Sequence, residues 1–587
     1  MTQGQDMVKT GSLRFGVMCN GTVFRRWQAE ALTRLIDHGH RPALLIVDAR
    51  ETSEKPLFLR LLRKRWGTAL FFFIDRRIFS PTEKDPVNLE KELSGVASIR
   101  CKVVKRGVSE YFAEDDLNTV RDYRLDFILR FGFGIIRGDI LSAAGYGVWS
   151  FHHDDEMIYR GGPPGFWEIY RGDPVSGAVM QRLTERLDGG IVLKKGYLKT
   201  VMHSWRESHG RLLEVSSAWP ALVADELASG AGNGDAGRFS AGAAPSLTVA
   251  PLYRVPGNLK MINFLLKIFR NRILFHYRRL MQMEIWNVGM IEKPIHELAL
   301  GGERLRDEDI RWLPEIRKAG YLADPFGYVA AGRLHVLAED YSYRSGRAGI
   351  SEVVFSTHPD GVVEADHHLS YPYVVEHEGE IYCLPESSQA PAITLYRKDK
   401  ATGQFTPHRT LLVQPGAVDP TLISYHDRWW LFLTTKEHSN THLYLFYSRD
   451  FHGEFLPHRL NPVKIDVRSA RPAGTPFSHE GALYRPAQDC SVTYGGRIAV
   501  NRVLKLTPDE FLEETVGYIE PPAGSIYRKG IHTISKAGGY TLIDGKRYVI
   551  SLQHLFRNIL RPSRFSKPGR SEPGRSFFPA GKEANDA

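Results

Sequence analysis

The chain has 587 residues, 42% of them hydrophobic and 11% aromatic, and a formal net charge of +10. That length exceeds what one hydrophobic core serves, so two or three globular domains are expected, and the composition excludes a disordered chain. Cys19, Cys101, Cys383 and Cys490 are far apart with no CxxC pair, which excludes a disulfide scaffold and a zinc site; no metal is expected.

The positive charge is local. Arg60, Arg63, Lys64 and Arg65 form one cluster, basic residues between Lys260 and Arg279 form a second, and the tail after Arg557 holds a third. A solvated face explains such clusters most simply, and no helix-turn-helix, RNA-binding or zinc signature raises a nucleic-acid reading. The first residues, Met1 to Ser12, are polar and do not read as a signal peptide. No run approaches the roughly 18 apolar residues of a membrane span, so a cytoplasmic location is expected.

From the N-terminus, Leu13 to Met18 reads as a strand running into the turn Cys19-Asn20-Gly21. Trp27 to Ile36 has the apolar spacing of a helix. Pro42 to Val47, Leu70 to Ile74 and Leu125 to Phe131 read as further strands, the last followed by Gly132-Phe133-Gly134. Alternating strands and helices imply a mostly parallel sheet covered on both faces. The glycines at 132 and 134 do not form a dinucleotide fingerprint, because the third glycine is missing. Gly147 to Phe151 is a strand that delivers His152 to its end. A Gly/Pro-rich turn on Tyr159-Arg160-Gly161 follows, and then Leu187-Asp188-Gly189-Gly190. Strand ends and glycine-rich loops are where α/β folds hold ligands, and one imidazole with one carboxylate makes a proton-handling pair.

The order of these residues resembles the folate-dependent formyltransferase family over about residues 12–200. His152 falls on the histidine of the family's N-x-H motif, Tyr159-Arg160-Gly161 on its Y-R-G turn, and Asp188 on the aspartate of L-D-x-G. Ser150 stands where the family has asparagine. The resemblance implies a Rossmann-like sheet that binds 10-formyltetrahydrofolate at its strand ends. It makes His152, Asp188 and Ser150 the catalytic residues, and puts Phe131, Gly132, Phe133, Gly134, Arg160 and Gly161 at the cofactor. In formyl transfer an unprotonated amine attacks the formyl carbon while negative charge builds on the formyl oxygen. A fixed donor at that oxygen is worth several kcal/mol. Histidine titrates near neutrality and suits either the donor role or movement of the amine proton.

Ser229 to Ala250 is rich in Gly, Ala and Ser and reads as flexible linker, taken here over 229–257. Asn258 to Met283 is a basic amphipathic helix, within a connecting segment 258–290. A packed connecting helix is the favoured reading, and peripheral membrane association through 258–283 is the alternative.

The C-terminal half repeats. Asp324-Pro325, Tyr371-Pro372, Asp419-Pro420, Arg471-Pro472 and His532-Thr533 each precede a turn and an apolar strand, at intervals of 47, 48, 52 and 61 residues. Five units of that period imply a five-bladed β-propeller over 310–556, with a disordered basic tail over 557–587. This half resembles the five-bladed propeller of plant glucosamine inositolphosphorylceramide transferases and, more distantly, glycosidase propellers of the arabinanase and fructosidase type. Asp324, Glu386, Asp419, Arg471 and His532 are its candidate substrate-binding residues. A turn carboxylate capping backbone amides is an equal reading of each acid.

The expectation is therefore a multidomain enzyme: an N-terminal α/β Rossmann-like formyltransferase domain over 12–228 and a C-terminal all-β propeller. The acceptor expected is an amino sugar, free, nucleotide-linked or lipid-linked, with no nucleic-acid partner. The rivals are a methionyl-tRNA formyltransferase-like enzyme, a formyltetrahydrofolate hydrolase, and a carbohydrate-binding or glycosidase propeller with a degenerate transferase domain.

Overall fold

A computed structural model describes residues 11–50, 66–186, 189–230, 248–315, 320–353, 360–363 and 367–551. The Arg60–Arg65 cluster, Asp188, the heart of the expected linker and the expected tail lie outside those residues.

The N-terminal part is built on a seven-stranded sheet. In chain order its strands are β1 (Arg14–Cys19), β2 (Arg41–Asp48), β3 (Ala97–Cys101), β4 (Phe127–Arg130), β5 (Val148–His152), β6 (Val175–Arg182) and β7 (Ile191–Lys199). The spatial order is β7-β6-β5-β4-β1-β2-β3. Strands β1 to β5 are parallel to their neighbours, whereas β6 and β7 are antiparallel. The buried runs F-G-V-M-C and F-I-L suit strands covered on both faces. Across β1, β4 and β5, Phe15 stacks on Phe127 at 5.5 Å and Phe127 on Trp149 at 3.9 Å. Helices α1 (Arg26–Asp37), α2 (Trp205–Ser217) and α3 (Trp219–Ala228) close that face with Leu32, Leu35, Leu212 and Val223. Leu117, Val120 and Ile140 close the other.

Leu70 to Ile74 is not a strand. Ala69–Ile74 is helical, with Phe71 and Ile74 buried and Phe73 exposed. Phe71 and Ile74 lie one helical turn apart and bury in one cluster with Phe166 and Trp205, so one-sided packing overrides the β propensity of the phenylalanines.

The flexible-linker reading also fails over its described end. Leu252–Tyr253 is a short strand that pairs in parallel with Arg160–Gly161. The pairing needs the glycine: Gly161 has φ +92°, and a Cβ there would collide with the Tyr253 carbonyl. Helix α4 (Asn258–Met281) follows and packs Met261, Phe264 and Ile268 against Phe71, Ile74, Phe79, Phe166 and Trp205. The connecting segment 258–290 stops being helical at Met281. Gln282–Ile291 is a strand paired with Tyr540–Ile550 over ten positions. Trp286, Val288 and Met290 alternate along it, a period hidden at sequence level by the helix that runs straight into it.

Among the described residues, the C-terminal part forms five successive antiparallel sheets. They begin at Gly320, Ser370, Ala417, Phe477 and Ile534, and the fifth takes Gln282–Ile291 and Arg311–Trp312 from before the first. Each sheet shares an apolar cluster with the next, and the fifth does so with the first through Val288, Val336, Ala338 and Leu542. The repeated dipeptides do not occupy turns in the first three sheets. Asp324, Tyr371 and Asp419 sit inside the first strand at a register shift, with φ of 49°, 47° and 49°. Such bulges re-aim backbone and side chain together.

The two parts touch along β7. Asp466 bridges to Tyr197, the Val467 N–H donates to the Tyr197 carbonyl at 2.9 Å, and Ile465 is buried in the N-terminal core. This covers an edge strand that would otherwise present unpaired backbone.

Candidate active site

The parallel strands β1, β4 and β5 end together, and each end supplies part of one region. Cys19 leads into Asn20 and Gly21, Arg130 into the Phe131–Gly134 loop, and β5 terminates at His152. Ser150 and His152 share one side of β5, because side chains alternate along a strand. Arg130 lies beside them on β4. Its Nη1 donates to Ser150 Oγ at 2.7 Å and its Nη2 to the Gly134 carbonyl at 2.9 Å, while Nε is buried without a partner. Burial lowers the Arg130 pKa, and Glu110 opposes this. Glu110 also accepts the Gly134 N–H at 2.6 Å, which ties the glycine loop to the same network.

His152 Nε2 lies 3.1 Å from the Tyr159 carbonyl. A carbonyl can only accept, so Nε2 carries a proton. The Tyr159 hydroxyl bonds Asp173, and Arg160 Nη1 donates to the Ala250 carbonyl at 3.3 Å. The Y-R-G turn is thus held from both sides. Phe131 packs edge-on to Trp27 at 5.4 Å and stacks on Phe151 at 6.2 Å. It also lines a 300 Å³ cleft with Asn20, Val23, Phe24, Arg25, Gln28, Lys84 and Pro86. Phe133 takes φ 63° and packs on Phe112 rather than in this cleft.

Next to the site, His153 is buried against Trp27 and Phe151, with Nε2 3.0 Å from Ser216 Oγ; burial holds it low, at about 3. Asp155 and Glu156 both pair with Lys195, at 2.7 and 2.9 Å. Asp154 accepts the Gly165 N–H at 2.9 Å and is raised by burial and by Glu168; Glu168 is raised by burial. These side chains support the loop between His152 and the 166–171 helix.

The structure therefore brings together Ser150, His152, Phe131, Gly132, Gly134 and the Arg160-Gly161 turn. Arg130 was not expected. Its only sequence signal is a cation closing the apolar run F-I-L, and its role depends on the pairing of β4 with β5.

The five C-terminal candidates also converge. His532 lies 3.1 Å from Asp324 and 2.7 Å from Asp544, Arg471 lies 2.5 Å from Asp419 and 3.9 Å from Glu386, and all are buried except Arg471, which keeps a small exposed area. Burial pushes Asp324 up, but His532 and the Thr533 hydroxyl outweigh it and hold it below the usual range. Burial and Asp419 hold Glu386 well above that range. Asp324, His532 and Asp544 are a donor set that could hold a metal. Both imidazole nitrogens face carboxylates, and these outweigh burial and raise the His532 pKa, so an imidazolium sits between two anions, with Nδ1 close to Asp544 but out of hydrogen-bond alignment.

An α/β sheet with a strand-end site, joined to a run of β sheets, is the class these observations define. The family described as glucosamine inositolphosphorylceramide transferase 1, N-terminal, matches residues 315–525. Glucosamine inositolphosphorylceramide transferase 1 of Oryza sativa subsp. japonica is 34% identical over 250 residues, 39% of this chain and 34% of that protein. Methionyl-tRNA formyltransferase of Borreliella burgdorferi (strain ZS7) is 34% identical over 112 residues, 19% of this chain and 35% of the other. The chain spans about a third of the length of the curated relatives it matches. Among solved structures, glycinamide ribonucleotide transformylase 1 from Symbiobacterium toebii is 15% identical with a TM-score of 0.26, covering 37% of this chain and 89% of that one.

Proposed function

We propose that this chain is a transferase that moves a formyl group from 10-formyltetrahydrofolate to the amine of an amino sugar, within glycan or glycolipid biosynthesis. The observation that carries this is the Arg130–Ser150 contact beside His152 at the end of a parallel strand. The formyl donor fits the residues present: Arg130 keeps a buried guanidinium nitrogen without a partner, and Phe131, next in sequence, walls a cleft. When bound, 10-formyltetrahydrofolate supplies the electrophilic formyl carbon. Arg130, Phe131 and the Gly132–Gly134 loop would hold it.

The chain's own groups divide the remaining work. Ser150 Oγ accepts from Arg130, so its hydroxyl proton is left to donate toward developing negative charge. Arg130 adds a fixed positive charge to the same region. The Tyr159 carbonyl holds the His152 ring through Nε2, and the imidazole moves the proton of the attacking amine. Arg25 and Lys84 in the cleft favour an acceptor with an anionic portion, as a nucleotide- or lipid-linked sugar has.

The five C-terminal sheets are read as the blades of a propeller, closed by strand 282–291, that recognises the carbohydrate part of the acceptor. The match of residues 315–525 to a glycolipid transferase family supports that assignment. Incubation of the chain with 10-formyltetrahydrofolate and a panel of nucleotide- and lipid-linked amino sugars tests the proposal. Mass spectrometry should detect an N-formylated product, and a panel returned unmodified would sink it.

A further inference from the structure

Helix α4 has two apolar faces, and the described residues cover only one of them. Met261, Phe264 and Ile268 face the protein, whereas Leu259, Leu266, Phe269 and Ile273 are 84%, 63%, 65% and 54% exposed. Leu259, Ile262, Leu266, Phe269 and Ile273 recur every three or four residues, and Leu280 follows two turns further on. They form one stripe on roughly the opposite side of the helix from the buried residues. At 24 residues the helix is about 36 Å long, so the stripe is extended. Phe73 and Ile78, on the segment packed beside it, are exposed as well and widen the apolar area.

Charge selects the occupant. Lys260, Lys267, Arg270, Arg272, Arg278 and Arg279 lie on this helix, and Asn258–Met281 contains no acidic residue. A second copy of the helix would set cation against cation with no carboxylate to pair. An anionic lipid surface complements the charge and takes the apolar stripe into its acyl boundary. Among the described residues no helix is long and apolar enough to cross a membrane, so the fitting geometry is a helix lying in the interface plane.

We infer that α4 is a monotopic membrane-surface helix that seats the chain on an anionic bilayer through the Leu259–Leu280 stripe. This is independent of formyl transfer. It would bring the N-terminal site to the plane where a lipid-linked acceptor presents its headgroup.

The test is co-sedimentation of the full chain with phosphatidylcholine vesicles, with and without roughly one-third phosphatidylserine. The chain should pellet with the anionic vesicles, and less so without phosphatidylserine or at high salt. Leu266→Ser, Phe269→Ser and Ile273→Ser together should reduce the bound fraction about tenfold. Because these side chains are exposed, Tm and formyl transfer to a soluble acceptor should stay unchanged. Absence of vesicle binding by the parent chain, or equal binding by the triple variant, overturns the inference. Concentration-dependent dimerisation that the triple variant abolishes, with no vesicle binding, would assign the face to a second copy and overturn it too.

Discussion

Arg130 and Ser150 stand on adjacent parallel strands and share a 2.7 Å hydrogen bond in which the guanidinium donates and the hydroxyl accepts. Ser150 is therefore oriented beside a fixed cation. Ser150→Ala should lower kcat/KM for formyl transfer by about 10- to 100-fold, and Arg130→Ala by about 100-fold or more. Steady-state kinetics on both variants would check this. Arg130→Ala with undiminished turnover would remove the guanidinium from the reaction.

His152→Ala should abolish most formyl transfer, a loss of about 100-fold or more, with the fold intact. Circular dichroism and Tm establish the fold, and turnover establishes the role. Near-normal turnover would contradict the proton-transfer assignment.

Gly161→Ala should destabilise the chain by about 1–3 kcal/mol, because φ +92° is strained for any residue with a Cβ and the Tyr253 carbonyl occupies the space. Urea denaturation measures the loss. Faster hydrogen exchange at Leu252 and Tyr253 should accompany it.

Burial raises the Glu168 carboxyl to about 7, above its ordinary 4.5. The folded chain then holds a proton that the unfolded chain has released. This contribution to stability is complete below about pH 4.5 and is lost as the pH rises toward 7. The difference in Tm between the parent chain and Glu168→Gln should change sign or slope across that window. A constant difference would show that folding does not raise the Glu168 carboxyl.

His532→Ala should cost about 3–5 kcal/mol, since it leaves the buried Asp324 and Asp544 carboxylates facing each other without the imidazolium between them. Chemical denaturation would measure this. A loss below 1 kcal/mol would show that the network contributes little to stability.

The parts of this molecule legible in sequence are those whose signal is local. His152 at a strand end and the Tyr159-Arg160-Gly161 turn are contiguous motifs, and the fold joins them through the contact of His152 Nε2 with the Tyr159 carbonyl. Four X-Pro dipeptides and His532-Thr533 announce five similar units by their similar intervals, and the first three mark a bulge in the opening strand. Arg130 was not legible, because its meaning comes from a hydrogen bond across two strands 20 residues apart. Leu70 to Ile74 misled because an apolar run satisfies a strand or a buried helix equally well until its packing partners are known. The strand Gln282–Ile291 was hidden because its partner, Tyr540–Ile550, lies at the far end of the described chain.

The central claim is that the strand-end site passes a formyl group to an amine. Spectrophotometric release of tetrahydrofolate from 10-formyltetrahydrofolate, with and without an amino-sugar acceptor, tests it most directly. Release that depends on the acceptor and is lost in His152→Ala is the predicted result. Release at the same rate without any amine would make the chain a hydrolase, and no release under either condition would contradict the account.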